Sequence, residues 1–256
     1  MPCGLRCPYV KISGRAPLWS PAEDGLILWR RLGINESDIV KIDFCGQVLQ
    51  TLPPSDSGLT LQMAFNAART RLYNVSLIDP PAKLRWLAYP DGGAWNLLAE
   101  REFIFGAAVD PSDKFALYVD FDGGHRIDFA APAVTVDLAI DPSPSEFALS
   151  PDGLFAAYAD DSDALVIWDL TTDVKTPAVV DAHFNGYPLK WVGKRVYYIA
   201  QLVSPKFQTL LRAYNTETNA IEELREVDSF VRDFAVSDDH AWVSVTLEEE
   251  LRILAL

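Results

Sequence analysis

The sequence predicts an all-β fold made of about six copies of one four-stranded unit. A short phrase recurs along the chain, in which a few apolar residues lead into a small polar turn and then into a second apolar stretch. It starts, for example, at Leu18, at Ala108 and at Ala148. Apolar runs bounded by turn residues are typical of β-hairpins. No amphipathic helical pattern of convincing length accompanies them.

The spacing of this phrase predicts the architecture. Successive copies are separated by 46, 44, 40, 42 and 45 residues, and a β-propeller blade of four strands takes roughly 40–50 residues. We therefore expect a single propeller domain of about six blades over residues 1–256. The equivalent turn positions are Ser20, Asn66, Asp110, Ser150, Val192 and Ser237. The predicted blades are 16–52, 60–98, 103–138, 145–180, 187–224 and 229–256.

The sixth unit is one strand short, which predicts how the ring closes. Its last segment, Leu251 to Leu256, occupies the third-strand position. At the other end of the chain, residues 9–13 read as a strand that precedes the first unit. An open sheet edge exposes unpaired backbone donors and acceptors. We therefore expect strand 9–13 to pair beside Leu251 to Leu256 and to complete the sixth blade.

The fourth unit carries the clearest motif. Its turn reads Ser150-Pro151-Asp152-Gly153, with Pro where φ is preset and Gly where φ turns positive, and a later strand reads Val166-Ile167-Trp168-Asp169. This combination resembles a blade of the WD40-like and TolB-like propellers. The resemblance implies a propeller and no particular activity, because propellers host binding proteins, lyases and scaffolds alike.

Composition and charge exclude two classes of partner. Hydrophobic residues make up 49% and charged residues 23%, which is ordinary for a globular protein. The net charge is −14, so the chain would repel a nucleic acid or an anionic membrane surface. The N-terminal residues show no apolar segment of the signal-peptide kind, and we expect a cytoplasmic protein.

The residues predict no catalytic, metal or cofactor site. No nucleophile elbow, dinucleotide fingerprint or Walker loop is present. Cys3, Cys7 and Cys45 lack the further ligands of a zinc site. A disulfide between two of them stays open, but we interpret them as free thiols. Residues 160–163 resemble the start of a calcium loop, yet Leu165 and Trp168 occupy later ligand positions, so we interpret the segment as an acidic hairpin loop.

Acidic residues predict the interaction surface. Propeller loops alternate between two faces, and this assignment places more than half of the 36 acidic residues on one of them. Solubility alone is the competing explanation. The predicted partner-binding residues are Asp122, Asp160, Asp161, Asp163, Glu248, Glu249 and Glu250.

These observations favour a non-enzymatic scaffold that binds another, Lys/Arg-rich protein through its acidic face, or that serves as a subunit of a larger assembly. The alternative is a small-ligand binder or a lyase- or lactonase-type enzyme that uses the central channel. The channel lining separates the two hypotheses, because an enzyme needs convergent carboxylates or histidines there, whereas a scaffold has small apolar residues.

Overall fold

A computed structural model describes most of the chain as β-strands joined by turns. Within the described residues there are strands and no helix, so no helix there is long and apolar enough to cross a membrane. The described residues are 9–10, 14–32, 37–53, 59–77, 81–132, 134–140, 147–160, 162–179, 189–202, 208–227, 230–247 and 250–256.

The strands form six four-stranded antiparallel sheets, which we call blades 1 to 6. In blades 1 to 5 the first of four consecutive strands lies innermost, and in blade 6 the first of three consecutive strands does. The innermost strands of neighbouring blades contact one another around a ring. Blade 1 holds β2 (Gly14–Trp19), β3 (Leu26–Arg31), β4 (Ser37–Ile42) and β5 (Val48–Thr51). Blade 2 holds β6 (Leu59–Phe65), β7 (Arg71–Leu77), β8 (Ala82–Ala88) and β9 (Asn96–Arg101). Blade 3 holds β10 (Gly106–Val109), β11 (Phe115–Asp120), β12 (Gly123–Asp128) and β13 (Thr135–Leu138).

The second half of the chain repeats this order, and the last blade takes its outermost strand from the start of the chain. Blade 4 holds β14 (Phe147–Leu149), β15 (Phe155–Ala159), β16 (Leu165–Asp169) and β17 (Val174–Val179). Blade 5 holds β18 (Lys190–Val192), β19 (Arg195–Leu202), β20 (Gln208–Asn215) and β21 (Ala220–Val227). Blade 6 holds β22 (Asp233–Val236), β23 (Trp242–Thr246), β24 (Leu251–Ala255) and β1 (Tyr9–Val10).

The predicted fold class, a six-bladed propeller closed by an N-terminal strand, is confirmed. Tyr9 lies opposite Arg252 and Val10 opposite Leu251, in an antiparallel pair. The rest of the predicted strand, residues 11–13, lies outside the described residues. The ring is therefore completed by two segments from opposite ends of the chain.

Some observed strands extend past the predicted blade limits. Blade 2 runs to Arg101 instead of residue 98, and blade 5 runs to Val227 instead of residue 224. Both extensions belong to outermost strands, whose residues are mostly exposed. A strand that faces solvent does not need apolar residues, so its end gives little signal in the sequence.

The core lies between the blades. Six clusters of buried apolar side chains in the described residues each join one pair of neighbours around the ring, including blade 6 to blade 1 through Leu251 and Leu26. Second strands are sandwiched between adjacent sheets, and every residue of β11 is buried. Fourth strands lie at the rim and are largely exposed, as in β5. Each blade is therefore stabilised mainly by its two neighbours.

The turn after each innermost strand has a recurring geometry. In five blades its first residue is polar and at most 3% exposed, and its backbone N–H donates to the carbonyl five residues later. The side chain accepts as well: Ser150 Oγ lies 2.9 Å from Phe155 N, and Asn66 Oδ1 lies 3.0 Å from Arg71 N. The turn closes through a residue with positive φ, as at Gly153. The five polar residues are Ser20, Asn66, Asp110, Ser150 and Ser237.

Candidate interaction surface and central channel

The blade topology separates the turns onto two faces. Turns from the first to the second strand surround one mouth of a central cavity, because residues from five of them line it and blade 1 adds the end of its innermost strand. We call this the first-turn face. Turns from the second to the third strand lie at the opposite ends of the same antiparallel strands, and we call that the second-turn face. Those predicted partner-binding residues that the structure describes, Asp122, Asp160, Asp163 and Glu250, belong to turns of the second-turn face in blades 3, 4 and 6.

The central cavity has a volume of about 480 Å³ and a mainly apolar wall. Alanines of four innermost strands line it, with Pro17 and Leu18 of blade 1. Small side chains at these positions leave the space open. The alanines are Ala64, Ala108, Ala148 and Ala235.

One buried carboxylate lies on the innermost strand of blade 6. Asp233 is 5% exposed, and burial raises the pKa of its carboxyl group. Lys190 of blade 5 places its Nζ 3.8 Å from Asp233 Oδ1, and the backbone N–H of Phe234 donates to the same oxygen over 2.7 Å. The charge is therefore compensated by a neighbouring blade. A single carboxylate with a cationic partner is not the convergent carboxylate set that the enzyme hypothesis requires.

The polar groups at the cavity mouth are also paired. Arg69 forms an ion pair with Asp238, which joins the first turns of blades 2 and 6 across the edge of blade 1. His240 Nδ1 lies 2.6 Å from the hydroxyl of Tyr197, and burial lowers the pKa of the His240 imidazole. Among the described residues, no group of three or more His, Cys, Asp or Glu side chains is arranged to hold a metal ion.

The predicted acidic residues differ in how free their carboxylates are. Asp122 and Asp163 are exposed. Asp160 accepts bonds from Ser162 N and Ala164 N, each 2.9 Å long, and thus holds its own turn together. Glu250 accepts from Arg252 Nε over 2.6 Å. Asp161, Glu248 and Glu249 lie outside the described residues.

An aromatic cluster lies on the second-turn face of blade 3. Phe121 occupies the turn between β11 and β12 and is 64% exposed. Its ring meets Phe103 at 4.8 Å and Phe105 at 4.7 Å between centroids, both edge to face. Phe105 is itself 37% exposed. The two exposed rings present ~200 Å² of aromatic surface to solvent, taking about 200 Å² per phenylalanine.

A hydrogen-bond network beneath the cluster fixes the turn. The buried Asp120 accepts from Asp122 N at 2.9 Å and lies 2.7 Å from His125 Nε2. The other ring nitrogen, Nδ1, lies 3.0 Å from Asp137 Oδ1. Carboxylates only accept hydrogen bonds, so the imidazole donates to both when it is doubly protonated. Tyr118 stacks on the imidazole with centroids 5.0 Å apart. The turn is thereby held in one conformation.

Sequence reasoning missed this cluster and the network beneath it. Phe103 and Phe105 precede β10, whereas Phe121 follows β11, so their contact depends on the pairing of those strands. The one available signal was the turn Phe121-Asp122-Gly123, where a large aromatic residue stands in a position normally filled by a small polar one.

The cysteine interpretation needs correction. Cys45, in the turn between β4 and β5, is disulfide-bonded, whereas the sequence favoured a free thiol. Its bonding partner lies outside the described residues. Cys45 lies at least 38 residues from Cys3 and Cys7 in the sequence, so only the fold could bring it to either of them.

Solved structures share the fold at low sequence identity. TolB from Acinetobacter baumannii matches with a TM-score of 0.67 and 12% identity over 95% of this chain and 64% of its own. U3-55K matches with a TM-score of 0.68 and 11% sequence identity over 96% of both chains. The tricorn protease matches with a TM-score of 0.62 and 11% sequence identity, over 97% of this chain and 34% of its own. The architecture is thus TolB-like and WD40-like.

At these identities the likeness shows the fold alone. This chain spans about two thirds of TolB and one third of the tricorn protease. No family model matches the sequence, and no curated protein shows significant similarity to it.

Proposed function

We propose that this propeller is a non-enzymatic scaffold that binds a Lys/Arg-rich protein through its second-turn face. The observation that carries the proposal is the exposure of carboxylates on separate blades of that face, Asp122 in blade 3 and Asp163 in blade 4. The net charge of −14 adds a long-range field of the same sign. Such a field steers a cationic partner and accelerates its association.

The contents of the channel support the same proposal. The channel wall is mainly apolar, and the Lys190 and His240 side chains in its lining are held by Asp233 and Tyr197. The carboxylate of Asp238 at its mouth is ion-paired with Arg69. The polar atoms there hold the blades together, which suits a rigid scaffold.

The test is association kinetics under changing salt. A pull-down at about 0.1 M and 1 M salt, where the Debye length falls from about 10 to 3 Å, selects partners by charge. With the purified partner, we expect the double variant Asp122→Asn, Asp163→Asn to associate about two- to fivefold more slowly at the lower salt. The difference should shrink at the higher salt. Asn tolerates the positive φ of Asp163, so the turn stays intact.

A matched control removes two exposed charges from the opposite face. Glu23 lies in the first turn of blade 1, and Asp91 lies in the turn between the third and fourth strands of blade 2. The variant Glu23→Gln, Asp91→Asn should associate at the wild-type rate. Equal rates for both double variants and the wild type at every salt concentration would show that the acidic residues serve solubility alone.

The size of the cavity favours one second candidate, a small-ligand binder that uses the channel. A volume of about 480 Å³ with few polar groups lies in the range of small-molecule sites. The variant Ala148→Leu narrows the channel without adding charge. Ligand-observed NMR with a neutral fragment library should then show binding to the wild type and none to the variant. Identical spectra for the two proteins would rule this candidate out.

A further inference from the structure

We infer that the cluster of Phe103, Phe105 and Phe121 is an anchor site for a partner segment that places one aromatic or aliphatic side chain between flanking Lys or Arg residues. This inference rests on the proposed function, because it defines the part of the second-turn face that holds the partner once charge has attracted it. Large exposed apolar patches on a soluble protein mark interaction sites.

The geometry of the cluster suits an anchor. Phe121 contacts each of the other two rings edge to face, so it joins them into one apolar surface. Phe121 stands on a two-residue turn between paired strands, with Asp120 opposite Gly123. Binding a side chain there excludes water from rings that are already in contact. A few residues in well-packed positions from which water is excluded contribute most of the binding energy at protein interfaces.

The underlying network makes the site rigid before binding. Asp120 bonds to Asp122 N and to His125, and His125 continues to Asp137 on the neighbouring strand. Phe105 N donates to the carbonyl of Val119 over 2.9 Å, which extends the ladder into the segment that carries the other two rings. A surface held in this way loses little conformational entropy when a partner binds.

The charges around the rings specify the partner. Glu102 adjoins Phe103 and is exposed, Asp122 adjoins Phe121 and is exposed, and the side chain of Asp137 is 90% exposed. Arg101, the nearest cation in sequence, donates to Thr135 over 2.7 Å, and its Nε lies 3.9 Å from Asp120 Oδ2, so an acidic side chain of this chain already compensates its charge. An apolar centre with an acidic rim complements an apolar residue flanked by cations. It disfavours a second copy of this acidic chain.

The experiment is a selection from a displayed random dodecamer library against the full-length protein, followed by fluorescence polarisation with the enriched peptides. We expect enriched peptides to carry an aromatic or aliphatic residue between Lys or Arg residues. Phe121→Ser should weaken their binding by at least about tenfold, as expected for a hot-spot residue. Phe121→Tyr, which keeps the ring, should restore it. Leu154→Ser, at an apolar residue 46% exposed on the first-turn face, is the matched control and should bind like the wild type.

The outcomes separate the two proposals. Basic peptides that bind Phe121→Ser as tightly as the wild type, but lose affinity in Asp122→Asn, Asp163→Asn, would overturn the anchor and keep the acidic scaffold. Absence of basic residues from the enriched peptides would overturn both. If the wild type sediments as a dimer and Phe121→Ser as a monomer, the rings bind a second copy, and the inference fails.

Discussion

The carboxylate of Asp113 joins blade 2 to blade 3, and its neutralisation should weaken that interface. It accepts from Tyr73 Oη over 2.6 Å and from Asn66 Nδ2 over 2.8 Å, and Arg71 Nη1 lies 3.5 Å away. Burial and this hydrogen bond raise the pKa of Tyr73, so its hydroxyl stays a donor. In Asp113→Asn one oxygen becomes an amide N–H₂, and one of the two donors loses its acceptor.

The expected loss follows from these contacts. Hydrogen bonds to a charged group contribute about 1.5–3 kcal/mol each. The Asp113 side chain is 23% exposed, which screens the charge, so we expect Asp113→Asn to lower the free energy of unfolding by about 2 kcal/mol. For a chain of this size that is a fall in Tm of about 4–8 °C. Positive φ at Asp113 is tolerated by Asn, so backbone strain adds nothing.

The assay is urea unfolding of a double-mutant cycle. Asp113→Asn, Tyr73→Phe and the double variant should give a coupling energy of about 1 kcal/mol, because the two side chains share one hydrogen bond. Asp173→Asn is the matched control: it has the same φ of 59° but is 69% exposed, and Trp168 Nε1 can still donate to the remaining oxygen. It should change stability by less than about 0.5 kcal/mol. A coupling energy of zero would refute the role assigned to Asp113.

Two further predictions concern single positions. Bonds from the hydroxyl and N–H of Thr171 lower the pKa of Asp169 to about 2, so Thr171→Val should raise that pKa towards 3.8 in a carbon-detected NMR titration. Because the pKa of Asp169 is lower in the folded protein, its hydrogen bonds stabilise the fold above pH 3.8, and this stabilisation is lost as the pH falls towards 2. An unchanged Asp169 titration in Thr171→Val would contradict the role assigned to Thr171. Gly25→Ala would place a Cβ 1.9 Å from the carbonyl oxygen of Ile42. We expect calorimetry to show that this substitution lowers the free energy of unfolding by about 3 kcal/mol. If Gly25→Ala melts like the wild type, the backbone around Ile42 can move aside to accommodate the added Cβ, and this prediction is wrong.

Much of the fold was predictable because the propeller repeats a local signal. Turn residues such as Ser150 and apolar runs such as residues 115–119 recur at blade spacing, and each follows from neighbours in sequence. The pairing of Tyr9 and Val10 with β24 was predictable for another reason: a missing strand at one end matched a spare strand at the other.

The candidate site was less predictable because it depends on register. His125 reaches Asp137 only because the two residues are opposite each other across β12 and β13. The strand that carries the histidine begins with two glycines, and such a strand gives no apolar alternation from which the register could be read. The exposed rings of Phe105 and Phe121 were hidden for a similar reason, since aromatic residues in a β-protein are normally assigned to the core.

The recurring first turn has a consequence for how such a fold diverges. Five blades have at that point a side-chain oxygen atom that can accept from a backbone N–H, and serine, asparagine and aspartate all supply one, as at Ser150, Asn66 and Asp110. The geometry of the turn therefore depends on the position of this oxygen atom, and the residue type that carries it can vary. The turn can therefore keep its geometry while its first residue changes among these three types. Such tolerance is consistent with a propeller fold that is shared at identities of 11–12%.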